Sequence, residues 1–317
     1  MSFAGKLLYH AWHRPAGVAR QVIAAGGPLQ VWRTVRGRRE MEAATHRLPA
    51  LHGLAGPPVT MHLLTGRRFW YQTAFCLWTF SKCSRRRVAP VIHDDGTLGD
   101  LHRGTLRRLF PESTFVSIIE AKERLDRHLP ATKFPVLRER WVNYPNLRKL
   151  TDPHLGSTGW QLVVDSDLLF FREPEFLVSW CDAPDRPLHA VDCATAYGYP
   201  VPLMAELAGA PVADLVNVGL TGLRSETLDW EKLEAWTAAL LARHGTHYFL
   251  EQALVAMLVA GRECAVAPAA DYVTGPREPE ASACRSVMHH YVADSKRWYF
   301  RANWRRSLDS HETHPGR

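Results

Sequence analysis

The sequence lacks the features that would place it across a membrane or in a disulfide-bonded, secreted class. It contains no run of about 18 or more uncharged apolar residues, so no membrane-spanning helix is predicted. Its N-terminus has no secretory apolar segment, because Lys6, Arg14 and Arg20 interrupt the sequence there. Its six cysteines form no Cys-x-x-Cys pair and have no regular spacing. These absences predict a cytoplasmic protein with reduced thiols.

Acidic residues are scarce in the first half of the chain. Residues 1–150 hold 25 Lys and Arg against 10 Asp and Glu, whereas residues 151–317 hold 14 against 22. A basic half can meet a diphosphate, an anionic acceptor or an anionic membrane surface. Nucleic acid is not predicted as a partner, because no recognised binding motif accompanies the charge.

No internal repeat or low-complexity tract is visible, and the chain divides into three parts. Residues 1–52 are predicted to form a basic helical extension, with helices at Ala4–His13 and Pro15–Glu42 broken by Gly26-Gly27-Pro28. Two alternatives stay open for this extension. Residues 1–50 either contact the inner face of a membrane peripherally or pack on the main domain. The main domain is assigned to residues 53–306, and residues 307–317 to a polar tail.

Short apolar stretches typical of strands alternate with helical patterns in the main domain. This alternation predicts an α/β fold with three layers, in which helices cover both faces of a mostly parallel central sheet. The predicted strands are Val59–Leu64, Val88–His93, Thr114–Ile118, Leu162–Val164, Leu188–Val191, Val216–Leu223 and Met288–Val292. The predicted helices are Phe69–Lys82, Leu98–Phe110, Glu120–His128, Phe134–Leu150, Trp230–Arg243 and Tyr248–Ala260.

Two carboxylates follow the predicted strand Leu162–Val164. Asp165 and Asp167 flank the small residue Ser166, so in an extended backbone they point to the same side. Such a pair repels itself unless a positive charge lies between its members. Mg²⁺ or Mn²⁺ suits the position, since these ions take oxygen ligands and share them with phosphate groups. The pattern is typical of a glycosyltransferase that uses a nucleotide-diphosphate sugar.

A second motif occurs about 125 residues later, at His290, Lys296 and Trp298. Together with the Asp-x-Asp pair it resembles the GT-A glycosyltransferases, and within them the glycogenin- and galactosyltransferase-like (family 8-type) branch. In that branch a His-x-x-Gly-x-x-Lys-x-Trp segment supplies a third metal ligand and a lysine for the diphosphate. The resemblance therefore implies that Asp165, Asp167 and His290 bind the metal, with Lys296 and Trp298 at the donor. Ala293 stands where the branch has glycine, which puts backbone approach to the phosphate in doubt.

Further residues are assigned to the site by the same resemblance. Thr65-Gly66-Arg67 would contact the nucleotide, and Asn217 and Gly219 the donor sugar. Apart from the resemblance, Tyr71 is assigned to base stacking, although the aromatic stretch that contains it is typical of a core. Glu251 and Gln252 stand where the branch has Asp-Gln near the sugar hydroxyls, and they are assigned as catalytic residues together with Lys296. A solvent-facing pair on a helix is the alternative for Glu251 and Gln252. Asp94 and Lys149 are assigned to the donor site as well, although a turn and an exposed helix end explain them equally well.

The sequence thus predicts a metal-dependent hexosyltransferase with Mn²⁺ or Mg²⁺ and a nucleotide-diphosphate sugar, with UDP-sugar favoured. Its acceptor is a glycan, a lipid-linked molecule or a protein. Two alternatives remain open: a metal-dependent phosphatase or phosphotransferase, and a GT-A-like module that binds nucleotide or glycan without catalysis. The resemblance implies retention of the anomeric configuration, which the residues alone do not decide.

Overall fold

The structure is a computed structural model that describes residues 26–309. Its strands are β1 (Ala55–Thr65), β2 (Arg86–Asp94), β3 (Thr114–Val116), β4 (Trp160–Val164), β5 (Leu168–Phe170), β6 (Leu188–Val191), β7 (Val216–Arg224), β8 (Ala265–Val266), β9 (Tyr272–Thr274) and β10 (Met288–His290).

Helices connect most of these strands, as the alternating pattern predicts. They are α1 (Pro28–Thr45), α2 (Trp70–Ser84), α3 (Asp100–Leu109), α4 (Ile118–His128), α5 (Pro135–Asn143), α6 (Arg148–Thr151), α7 (Glu175–Asp182), α8 (Val201–Ala208), α9 (Trp230–His244), α10 (Leu250–Leu258), α11 (Glu280–Ala283), α12 (Lys296–Trp298) and α13 (Trp304–Asp309). A π-helical turn, Tyr299–Asn303, joins α12 to α13.

The central sheet has seven strands in the order β3-β2-β1-β4-β7-β6-β8. The pairs β1–β2, β2–β3, β1–β4 and β6–β8 are parallel, whereas β7 runs antiparallel to β4 and β6. Separate hydrophobic cores form around α2 and around α10, with Met61 of β1 in the first and Val218 of β7 in the second. The predicted α/β class and mostly parallel sheet are confirmed.

A second, three-stranded sheet has the order β5-β10-β9. Strand β10 pairs antiparallel with β5, and His290 lies opposite Leu168. The backbone N–H of Tyr291 also donates to the carbonyl of Asp167 at 3.0 Å. This small sheet therefore holds a late segment of the chain directly beside the segment that contains Asp165 and Asp167.

Two predicted elements were wrong in extent. The single helix expected over residues 134–150 ends at Asn143, because Pro145 lacks an N–H and disfavours a helical conformation at Tyr144. The strand expected over residues 288–292 ends at His290, since Ala293 turns the chain with φ of +45°. Both breaks occur next to the site described below.

Helix α1 packs on the main domain. Met41 and Thr45 are fully buried, and the Trp78 indole N–H donates to the carbonyl of Pro49 at 2.9 Å. The predicted helix at 4–13 lies outside the described residues, and peripheral membrane contact stays a prediction. Ser307, assigned to the polar tail, is buried in α13. No helix within residues 26–309 is long and apolar enough to span a membrane.

Candidate metal and donor site

Asp165, Asp167 and His290 converge at the end of β4. One ligand atom of each residue lies within 4.8 Å of the others. The imidazole Nε2 of His290 is 3.3 Å from Asp167 Oδ1 and 3.6 Å from Asp165 Oδ2. Two carboxylates and an imidazole form a donor set that suits a divalent cation with positions left for phosphate oxygens.

The orientation of His290 is fixed by Asn217 on β7. Asn217 Oδ1 accepts hydrogen bonds from the backbone N–H of Gly219 at 2.9 Å and from His290 Nδ1 at 3.0 Å. Because an amide oxygen only accepts, the Nδ1 atom of His290 carries the proton, and Nε2 faces the carboxylates. A ligand histidine is held by its other nitrogen in this way in many metal sites. The three residues therefore fit a metal ion.

The charged groups of the cluster shift one another's pKa values. Burial lowers the pKa of His290, but its hydrogen bond to Asp167 and the charges of both aspartates raise that pKa overall. Burial raises the pKa of Asp167, yet the bond to His290 and the charge of Lys296 bring it well below its usual range. The Lys296 ammonium lies 3.0 Å from Asp167 Oδ2. The aspartate is thus held in the charged form that a cation requires.

Lys149 lies between two carboxylates on the other side of the cluster. Its ammonium is 2.8 Å from Asp165 Oδ1 and 3.1 Å from Glu251 Oε2. Burial and the charge of Asp165 raise the pKa of Glu251 to about 7 despite the lysine. Lys149, assigned from sequence to either the donor site or an exposed helix end, has only 11% of its side chain exposed and pairs with Asp165.

Asp192, which the sequence analysis did not single out, belongs to the same cavity. One of its oxygens accepts from both Asn217 Nδ2 and Gln252 Nε2 at 2.9 Å, and the other accepts from the backbone N–H of Cys193. It follows β6 as a single acid in an ordinary Val-Asp-Cys context. Only the antiparallel β6–β7 pairing brings it to Asn217, and no local motif indicates that pairing.

The cluster lies between two adjoining cavities. One of 450 Å³ is bordered by Asp192, Asn217, Glu251 and Gln252, and the other, of 210 Å³, by Thr65 and other residues near the start of α2. Lys149, Asp165, Asp167, Tyr248 and Lys296 border both cavities. The two cavities thus form one cleft around the candidate cation site. The larger cavity is big enough for a sugar.

The residues assigned to the nucleotide are only partly at the second cavity. Thr65 borders it, while Arg67 uses its backbone N–H to bond Thr97 Oγ1. Asp94 is buried and accepts from three backbone N–H groups of its own turn and from Arg103, so its role is structural. Asp95 borders the cavity instead. Its carboxylate occupies the place of a Cβ on Gly66, so glycine is required there.

Two aromatic assignments do not match the structure. Tyr71 is fully buried beneath α1, with the Arg38 guanidinium 5.9 Å from its ring centre, so it offers no face to a base. Phe69, 38% exposed, borders the second cavity. Trp298 lies outside both cavities and borders a separate groove beside α1. Residues of one helix point in different directions, so Phe69 borders the second cavity and Tyr71 does not.

Ala293 has a left-handed backbone at the place where the resembling branch has glycine. Its φ is +45°, a conformation that costs a non-glycine residue about 1–2 kcal/mol. It borders the larger cavity, two residues before the Ser295 that precedes α12. Ala293 therefore has a left-handed backbone of the kind that glycine adopts readily.

Gly219 is expected to be indispensable because of its contact with His290. A Cβ at this position would lie 2.2 Å from His290 Cε1 and 2.4 Å from Nδ1. Gly219→Ala should displace the imidazole and weaken Mn²⁺ binding by about 10–100-fold, the range for residues that orient metal ligands. Titration calorimetry with Mn²⁺ measures this effect directly. Gly104→Ala is the matched control, since its Cβ would meet nothing within 4 Å. Equal Mn²⁺ affinity in Gly219→Ala and wild type would contradict the assignment of His290.

No protein-family model matches the sequence, and no curated protein matches it. Solved structures do match. The galactosyltransferase LgtC, solved with donor and acceptor sugar analogues, is similar at a TM-score of 0.50 and 12% identity, covering 81% of this chain and 97% of its own. Mouse xyloside xylosyltransferase 1 is similar at a TM-score of 0.50 and 10% identity, covering 76% and 99%.

The chain has a GT-A fold. At 10–12% identity the likeness concerns the architecture, and the chemistry must be argued from the residues themselves. In this GT-A fold the Asp165–Asp167–His290 cluster lies where β4 of the large sheet meets β5 of the small one. The β7 residues Asn217 and Gly219 reach it from the neighbouring strand. The sheet topology therefore brings the residues of the cleft together at this junction.

Proposed function

We propose that this protein is a metal-dependent glycosyltransferase that moves a hexose-type sugar from a nucleotide-diphosphate donor to an acceptor hydroxyl. The observation that carries the proposal is the convergence of Asp165, Asp167 and His290 in one cleft, with Lys296 on Asp167. A generic phosphoester hydrolase has no need for the sugar-sized space beside the cluster.

The donor diphosphate is placed at the cluster and at Lys296. A divalent cation held by Asp165, Asp167 and His290 would neutralise the charge that grows on the departing diphosphate. Lys296 adds a point charge from the short helix α12, and its side chain is 41% exposed. The charge of Asp167 raises its pKa, so it stays protonated throughout the physiological range.

The donor sugar is placed in the 450 Å³ cavity among hydrogen-bonding side chains. Asp192 and Gln252 are polar groups with fixed positions there, because each is bonded to the other at 2.9 Å. Glu251 is held by Lys149 and is one methylene longer than the aspartate of the resembling branch. Such fixed groups discriminate between sugars, because a sugar whose hydroxyl is absent or misplaced leaves a polar group of the site without a hydrogen bond.

The stereochemical outcome proposed is retention. An inverting enzyme needs a carboxylate base that is available to the acceptor hydroxyl. Among the described residues of the larger cavity, the carboxylates outside the metal cluster are Asp192 and Glu251. Asp192 accepts three hydrogen bonds and Glu251 is paired with Lys149. Both carboxylates are engaged by these partners, and retention, which the resemblance implies, is the outcome proposed.

A panel of nucleotide sugars, tested by thermal shift with and without Mn²⁺, tests the proposal. A ligand at about 100 times its Kd adds about 2.7 kcal/mol to the free energy of unfolding. We expect the largest shift for a UDP-sugar and only when Mn²⁺ is present. Release of UDP would then be measured for the donor that binds.

Three results separate the alternatives. Donor binding with metal-dependent UDP release supports the transferase. Tight binding without any release on supply of glycan, lipid-linked or protein acceptors identifies a binding module. Release of inorganic phosphate from a generic phosphoester, without response to any nucleotide sugar, would replace the proposal by a phosphatase.

A further inference from the structure

A strongly basic groove lies outside the donor cleft. It has a volume of 950 Å³ and runs between α1 and the C-terminal helical segment of residues 296–309. Five arginines border it: Arg33, Arg36, Arg297, Arg301 and Arg305. One carboxylate, Glu40, borders it as well. The charged side chains of the described residues that border this basic groove therefore sum to +4, since five guanidinium groups face one carboxylate.

The groove is built by the close packing of two helical segments. A Cβ on Gly37 would lie 2.0 Å from the carbonyl oxygen of Phe300, so only glycine allows this approach. Arg301 ties the segments together by donating to Thr34 Oγ1 at 2.8 Å and to the carbonyl of Gln30 at 2.9 Å. Residues 297, 301 and 305 are four apart, so their side chains lie along one helical face.

Among the described residues that border this groove, one carboxylate faces five guanidinium groups. Glu40 pairs with Arg36 at 2.6 Å and with Arg305. The pKa of Arg301 is lowered by its burial and by the charges of Arg297 and Arg33. Helix α1 adds to the imbalance, because its first turn contains no acidic residue and its N-cap makes no side-chain hydrogen bond. Residues 26–39 contain no Asp or Glu.

Two indole rings border the same groove. Trp32 is 54% exposed, with the Arg36 guanidinium 5.3 Å from its ring centre, and Arg297 lies 5.5 Å from the ring centre of Trp298. A guanidinium stacked on an aromatic ring keeps its N–H edge directed outward at little entropic cost. Such forked donors match the oxygens of phosphate groups.

We propose that the basic groove is a second binding site that takes a phosphate-bearing ligand, separate from the donor diphosphate. The two sites are adjoining, because Lys296 contacts Asp167 while the next two residues border the groove. A phosphate held there can belong to a soluble ligand or to a phospholipid headgroup. The proposal goes beyond sugar transfer, and its test does not depend on turnover.

The test compares wild type with the double variant Arg33→Gln/Arg297→Gln. Neither arginine borders the donor cleft, and both are exposed. The first arm titrates sodium pyrophosphate calorimetrically in the presence of EDTA. The second arm sediments the protein with phosphatidylcholine vesicles that contain or lack phosphatidylglycerol. Loss of two charge-assisted hydrogen bonds should weaken binding about tenfold or more in the arm that matches the ligand.

The matched control is Arg39→Gln/Arg262→Gln, which removes the same charge from two exposed residues outside the groove. Weaker pyrophosphate binding in the groove variant alone supports a soluble phosphate ligand. Weaker vesicle binding in the groove variant alone supports a lipid headgroup. Equal binding by wild type and the groove variant in both arms would overturn the proposal, and so would equal losses in both double variants. Nucleotide-sugar binding should be unchanged throughout, so failure here and failure of the transferase proposal are distinguishable.

Discussion

Replacement of Asp165 or Asp167 by asparagine is expected to lower metal-dependent donor turnover by about a hundredfold or more, or about 2.7 kcal/mol of transition-state stabilisation. An amide is a poor ligand for a hard cation but has nearly the same shape as the carboxylate. The measurement is UDP release at saturating Mn²⁺, together with the thermal midpoint of each variant.

The two variants should keep their fold, since both aspartates lie at a strand end beside the open cleft. Asp214→Asn is the control, because Asp214 is exposed and does not border the cleft. A near-wild-type rate in either metal-site variant would make the metal assignment wrong. Loss of the folded state would instead make the pair structural.

Changes at His290 and Lys296 are expected to have different kinetic signatures. His290→Ala should weaken Mn²⁺ dependence and donor affinity together, because the imidazole would hold the ion to which the diphosphate binds. Lys296→Ala should lower kcat about tenfold or more with a smaller effect on donor binding, since the charge of the leaving group grows toward the transition state. Steady-state kinetics at several Mn²⁺ concentrations separates the two effects.

Lys296→Arg serves as the conservative variant, because it keeps the charge beside Asp167. Its kcat should lie closer to wild type than that of the alanine variant. A Lys296→Ala enzyme with unchanged kcat would remove this residue from the donor site. An unaltered Mn²⁺ dependence in His290→Ala would show that His290 is not a metal ligand.

The cluster could be predicted from one local pattern and one resemblance, although the strand that contains His290 ends earlier than expected. Asp165 and Asp167 follow an apolar strand, and His290 and Lys296 occur at a fixed spacing in one segment. The α/β class could be predicted for a similar reason, because short apolar stretches alternate with helical patterns along the sequence. The observed sheet confirms it. These features are local and therefore legible in a single sequence.

Features that depend on pairing or helix rotation could not be predicted. Asp192 reaches the cavity only through the β6–β7 pairing. Helix α2 is buried along nearly its whole length, so no polar face indicates where Tyr71 points. The apolar residues of the N-terminal extension are scattered, so the sequence alone does not decide between membrane contact and packing on the main domain. In the structure Met41 packs inward on one face of α1, whereas Trp32 is exposed on another.

The β5–β10 pairing has a consequence for the energetics of metal binding. Asp167 and His290 are separated by 123 residues in sequence, and closing a loop of that length carries an entropic cost. The backbone hydrogen bonds of the small sheet, such as that from Tyr291 N–H to the Asp167 carbonyl, offset this entropic cost when the protein folds. A cation would therefore bind to ligands that are already assembled. A chelator should remove it without unfolding the protein, unlike small domains whose folding depends on their metal.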